Sequence, residues 1–341
     1  MSDFFGTELP VIQAPMAGVQ DHRLAAAVSN AGGLGSLPCA MLGADALRAE
    51  LETLKAATGR PFNVNFFAHR PPVQVEADER KWRRALEPFY QEFGINPDSI
   101  ESGPGRMPFN EESAGIVEEF CPAVVSFHFG LPEPSLMERV RRTGAKVLST
   151  ATTVEEAVWL EQHGVDAIIA QGLEAGGHRG IFLTTDMTTQ MGTFALLRQV
   201  VAAVKIPVIA AGGIADARGV KAALDLGAVA AQVGTAFLLC REATTRPVHR
   251  EALKSQNARH TAITNVFSGG PARGIVNRVV RELGPLCREA PPFPLATGAI
   301  APLRTAAEAA GSGDFSPLWC GQNASGCHEG SAAELLERLV P

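Results

Sequence analysis

The sequence withholds most of the signals that would assign a class at once. Its six cysteines, Cys39, Cys121, Cys240, Cys287, Cys320 and Cys327, include no C-x-x-C pair, so a zinc ribbon or a short disulfide-dense module is not indicated and a reducing compartment fits. No run of Lys and Arg marks a phosphate-tracking face, and the net charge is -6; no nucleic acid is expected as a partner. No stretch approaches the roughly 18 apolar residues of a membrane span, and the opening MSDFFGTELP lacks the basic-then-apolar order of a secretory signal. The expectation is a cytoplasmic protein with no membrane partner. A G-x-G-x-x-G turn is missing, since NAGGLGS at 30–36 has another spacing, and so is a Walker lysine motif. Tyrosine occurs once, at Tyr90.

What the chain does contain is repetition. Eight short apolar runs, at residues 10–18, 33–38, 62–67, 123–130, 145–150, 166–172, 207–213 and 228–238, lack polar alternation, as parallel strands covered on both faces do. Helix-like patterns such as HRLAAAVSNAG and DARGVKAALDLG stand between them, several closed by glycine. This predicts an α/β protein, a (β/α)8 TIM barrel with an additional helical cap region, ahead of a doubly wound open sheet. Residues 1–239 are read as the barrel, with a helical insertion at about 68–122. Residues 240–341 are read as a mostly helical C-terminal cap on the barrel mouth, serving either as a lid or for packing and subunit contacts.

In such barrels the working groups stand at the C-terminal ends of the strands, and phosphate is commonly held after strands seven and eight. The seventh run ends in Ala211-Gly212-Gly213 and the eighth in Gln232-Val233-Gly234-Thr235. Two such turns present backbone N–H groups and a hydroxyl, a suitable cup for an anion. The first run ends in QAPMAG, placing Ala14, Pro15 and Met16 at the mouth, where an apolar side chain could lie under a ring system or serve as core filler.

Taken together, QAPMAG, SNAGGLGSL, NVNFF, SFHFGLP, QGLEAGGHRG, AAGGI, QVGTAFL and LWCGQ, in this order over nearly the whole chain, resemble the nitronate monooxygenase family, class I members above all. The resemblance implies non-covalently bound FMN. Met16 with its neighbours and Asn65 would line it. Gln171, Gly176 and Gly177 would meet its ring or ribityl region, and Ala211 to Gly213 with Gln232 to Thr235 would hold its phosphate. It further implies oxidation of an alkyl nitronate, propionate 3-nitronate being characteristic, by O2 to a carbonyl compound and nitrite or related nitrogen oxides. Enoyl-acyl carrier protein reductases and quinone reductases share pieces of these motifs and are the alternative.

Two histidines stand apart from the other six. His128 lies near the end of an apolar run, and SFHFG coincides with the family segment that carries an active-site histidine; His178 sits in the glycine-rich loop, read as flexible, with a role in binding, loop anchoring or catalysis. Both are candidate catalytic residues. The glycines beside His178 are expected to let the backbone approach the cofactor. His22, His69, His163, His249, His260 and His328 are read as surface or structural. Relatives present tyrosine hydroxyls from the cap; here Phe293 and Phe315 are expected in that space, with Arg304 as a substitute partner for a substrate carboxylate. No metal site is indicated.

Overall fold

The computed structural model describes residues 2–100 and 106–341. Its strands among these are β1 Val11–Gln13, β2 Gly35–Pro38, β3 Phe62–Phe67, β4 Val124–His128, β5 Lys146–Ala151, β6 Ala167–Gln171, β7 Gly177–His178, β8 Val208–Ala211, β9 Ala230–Val233, β10 Thr261–Thr264 and β11 Ala272–Ile275. Eight of them form one parallel sheet in the order β1-β9-β8-β6-β5-β4-β3-β2. Its edges meet: Leu34 N donates to Val11 O at 3.0 Å and Gln13 N to Leu34 O at 2.9 Å. This parallel bridge at Ile12 and Leu34 closes the sheet into the expected eight-stranded barrel and rules out the open alternative.

Both faces of each strand are buried, which is why the sequence shows no polar alternation. Val147 and Ile168 pack outward with Leu196 and Val200, whereas their neighbours Leu148 and Ile169 fill the barrel with Ile12, Leu34, Val124 and Ile209. Each such side chain contributes on the order of 2 kcal/mol by leaving water, so the barrel is a stiff frame for the loops at its ends. A buried polar chain also runs inside it. Gln13 Nε2 donates to Gln20 Oε1 at 2.6 Å, Ser36 N donates to Gln13 Oε1 at 2.9 Å, and Asn63 Nδ2 donates to Ser36 and Ser126 hydroxyls at 3.0 and 2.9 Å. Met16 N donates to Gln20 Oε1 at 3.0 Å, so this chain of bonds fixes the loop after β1.

The insertion contains a helix at Glu76–Phe93 whose Trp82, Leu86, Phe89 and Tyr90 share a second core with Phe267, Ile300, Leu303 and Phe315 from the tail. Trp82 Nε1 donates to Ala296 O at 3.0 Å and the Tyr90 hydroxyl to Ala299 O at 2.6 Å. The sole tyrosine is therefore a structural anchor. The tail also carries the antiparallel hairpin β10–β11, onto which β7 adds with His178 opposite Ala272 and Gly177 opposite Arg273. The last helix, Ala332–Leu339, packs in a different cluster with Leu24, Val28 and Val220 on the barrel flank. Among the described residues, no helix is long and apolar enough to cross a membrane.

Candidate active site

A cavity opens at the C-terminal ends of the barrel strands. It brings together Ala14, Pro15 and Met16 after β1, Asn65 in β3, His128 at the end of β4, and Gln171 at the end of β6. Gly176, Gly177 and His178 follow, then Ala211, Gly212 and Gly213 after β8, and Gln232, Gly234 and Thr235 at β9. Val233 is the exception among the candidates. Its side chain lies in the core with Val11 and Leu24, because alternation along β9 turns it away from the side that Gln232 takes. Phe67, Arg106, Thr150, His249, Trp319 and Asn323 also line the space. Among the described residues, none that line the space is acidic.

His128 Nε2 lies 3.1 Å from the His178 carbonyl and Nδ1 lies 3.0 Å from the Thr150 hydroxyl. A carbonyl only accepts, so Nε2 carries the proton and Nδ1 accepts from Thr150. Burial pushes the His128 pKa down to about 4, and the ring is neutral near pH 7. Directly after it Phe129 adopts φ 69, an uncommon conformation for a non-glycine residue, as the chain turns sharply off β4.

His178 Nε2 is 2.8 Å from the Ser268 hydroxyl, and its Nδ1 has no partner among the described residues. The ring stands 5.1 Å from Phe293 and 5.4 Å from Trp319. Burial, with the positive Arg106 nearby, holds its pKa well below the usual histidine range.

The loop that carries His178 is not flexible in the way its composition suggests. Beyond the pairing to β11, the buried Arg179 donates to Gly172 O and Gln171 O, both at 2.6 Å. Gln171 Nε2 donates to His178 O at 2.9 Å while its Oε1 accepts from Gly180 N at 2.8 Å. The fully buried Glu156 accepts from Phe182 N at 2.6 Å and from Thr152 N at 2.7 Å.

Its glycines serve this packing. A Cβ on Gly176 would stand 2.6 Å from Gly321 N, and one on Gly180 would stand 2.9 Å from His128 Cε1. The close approach predicted at this loop is thus to the tail backbone and to His128.

The two turns expected to form an anion cup have free donors. Gly212 and Gly213 take φ 121 and 72, and the N–H groups of Gly213, Gly234 and Thr235 have no acceptor among the described residues. The tail segment after Trp319 straps across it: Gly321 N donates to Thr235 Oγ1 at 2.9 Å, Asn323 Nδ2 to Gly213 O at 3.0 Å and Gln322 N to Glu174 O at 2.9 Å. Gln232 Oε1 is buried with no partner.

Of the histidines read as surface or structural, two are buried, while the expectations for Phe315 and Arg304 need correction. His249 is buried and lines the cavity, its Nε2 donating to Trp319 O at 3.1 Å and its pKa pushed down to about 4 by burial. His69 is buried beside Phe293, 5.0 Å between ring centroids. Phe315 meets Phe89 edge to face in the second core, away from the cavity, because the inserted helix supplies an apolar surface that the local sequence of the tail does not disclose. Arg304 bonds Glu308 at 2.8 Å and does not line the cavity. Phe293 does stand at the site, against His178. His22, by contrast, pairs with Glu50 at 3.0 Å, and His163 stacks on Trp159, both away from the mouth.

A closed (β/α)8 barrel with a roofed cavity at its C-terminal mouth and unpaired backbone donors past the last two barrel strands defines an α/β-barrel enzyme with its working site at that mouth. The family model for nitronate monooxygenase matches residues 1–341. A nitronate monooxygenase of Pseudomonas aeruginosa is 45% identical, over 98% of this chain and 96% of that one. The solved nitroalkane oxidase from Streptomyces ansochromogenes superposes with a TM-score of 0.88 at 40% identity, covering 98% of this chain and 95% of that one. FabK from Thermotoga maritima is more distant, with a TM-score of 0.73 at 28% identity over 99% and 93% of the two chains. The chain belongs to the nitronate monooxygenase family, and is an oxidoreductase.

Proposed function

We propose that the protein is an FMN-dependent nitronate monooxygenase that oxidises small alkyl nitronates with O2, propionate 3-nitronate among them, to a carbonyl compound and nitrite or related nitrogen oxides. The observation that carries this reading is the composition of the cavity: three histidines that burial keeps neutral and an arginine border it, with no carboxylate among the described residues. Such a site favours an anion.

The residues present fit FMN. Free N–H groups at Gly213, Gly234 and Thr235 suit a phosphate, and the orphaned Gln232 Oε1 is an acceptor for a flavin N–H or hydroxyl. Met16 and Asn65 would border the ring. When bound, the flavin supplies the electron transfer that no side chain here can provide.

The chain's own residues bind and orient. His178 offers Nδ1–H to a nitronate oxygen while its Nε2 accepts from the Ser268 hydroxyl, and His128 Nε2–H, donated to the His178 carbonyl, holds that loop in place. A histidine whose pKa lies near 4 is a poor base at neutral pH, so the site favours a preformed nitronate over abstraction of a proton from a neutral nitroalkane. Phe67, Phe293 and Trp319 surround the histidines with apolar surface and limit water.

Oxygen uptake and nitrite release by the FMN-loaded protein, with a nitronate and separately with its nitroalkane, test the proposal. Turnover of the nitronate with little on the nitroalkane is expected; no oxygen uptake with any small nitronate refutes it.

A further inference from the structure

Among the described residues, Arg106 has no counter-ion. Its guanidinium stands over two rings, 6.0 Å from the Phe67 centroid and 5.6 Å from that of Phe293, and it lines the cavity. Among the described residues no carboxylate pairs with it and no carbonyl accepts from it. Two other arginines that are largely withdrawn from solvent are treated differently. Arg179 is satisfied by Gly172 O, Gln171 O and Gln190 Oε1, and Arg250 by the carbonyls of Leu239, Cys240, Ala243 and Thr245. Leaving a desolvated cation unpaired is unfavourable, and the charge it feels most, that of Arg304, is of the same sign. Burial lowers its pKa to about 10, which leaves it cationic at neutral pH.

Phe293 contacts both Arg106 and His178, so the guanidinium and the histidine are separated by one aromatic ring. We propose that Arg106 is the specificity-determining residue of the cavity, a second anion pole that binds a carboxylate on the far end of a short nitronate whose reacting end lies at the histidines. The inference rests on the nitronate reading above and adds to it the residue that selects a doubly anionic substrate. Arg304, the cation that the sequence suggested for this role, is engaged with Glu308.

The test compares propionate 3-nitronate with propyl 1-nitronate, of equal carbon number with and without the carboxylate. Arg106→Met removes the charge and the hydrogen-bond donors while keeping an unbranched, largely apolar stem beside the rings. It is expected to lower the ratio of kcat/KM for the carboxylated over the plain nitronate by roughly ten- to a hundredfold, the worth of a charge-assisted contact, and Arg106→Lys by less. A ratio within about twofold of the parent in the Met variant overturns the proposal.

A second arm needs no turnover: quenching of tryptophan fluorescence, to which Trp319 contributes, by propionate. Wild-type binding that weakens at least tenfold or so in Arg106→Met supports the anion pole, and propionate binding that ignores the substitution overturns it. If the protein oxidised neither nitronate yet bound propionate through Arg106, the nitronate reading would fail while the anion pole stood.

Discussion

His128 is a residue with both ring nitrogens already engaged, and that decides what its removal should do. Its Nε2–H holds the His178 carbonyl and its Nδ1 takes the Thr150 hydroxyl. A glutamine can restore the donor to the carbonyl; an alanine cannot. We expect His128→Gln to retain about tenfold more kcat/KM on a nitronate than His128→Ala, measured by oxygen uptake. Equal losses in both variants would mean that the imidazole meets the substrate itself. SFHFG and AGGHRG made these two histidines legible in the sequence. His249, Phe67 and Thr150 were not, because their relevance depends on which way each side chain turns once the strands and the tail are placed. Arg106 was hidden for a further reason: it follows a stretch of the insertion that has no strand or helix pattern of its own, and only the fold carries it over Phe67 and Phe293.

At the scale of elements, the three-stranded sheet and the strap at residues 319–323 turn a glycine-rich loop into a fixed wall. Gly176 and Gly177 separate two physical requirements there. A Cβ on Gly176 strikes tail backbone at 2.6 Å, whereas one on Gly177 meets nothing within 4 Å, but the residue holds φ 72. Gly176→Ala should therefore part the loop from the strap and cost roughly 1–3 kcal/mol as an overpacking change. Gly177→Ala should cost about 1–2 kcal/mol of left-handed backbone strain with the strap intact. Amide hydrogen exchange distinguishes the two: protection of Gly321 and Gln322 is lost in the first variant and kept in the second. Loss in both would show that the loop has no such division. The barrel strands were readable because each is a short local run. The β7–β11 pairing joins residues nearly a hundred positions apart, across two glycine-rich stretches that carry no alternating pattern.

For the whole molecule, burying neutral histidines at one mouth ties stability to pH. His128 and His249 have pKa values pushed down to about 4 by burial, and His178 is lowered as well. The unfolded chain, with histidines near 6.5, binds more protons between these limits. The stability they contribute is thus complete above about pH 6.5 and is lost as pH falls toward and through 4. A loss on the order of 1 kcal/mol per histidine by pH 5 is expected. Denaturant unfolding at pH 7 and pH 5 measures it, and His249→Gln should flatten the slope. A slope unchanged by that substitution would contradict the linkage.

The central claim is that the barrel mouth holds a flavin phosphate beyond β8 and β9 and offers a nitronate a site that needs no nicotinamide. Anaerobic mixing of the FMN-loaded protein with propionate 3-nitronate, and in parallel with NADH, tests it most directly. The account predicts that the flavin absorbance is bleached rapidly by the nitronate and only slowly, if at all, by NADH. Rapid bleaching by NADH with none by the nitronate would contradict it and place the chain's activity with nicotinamide-dependent flavin reductases.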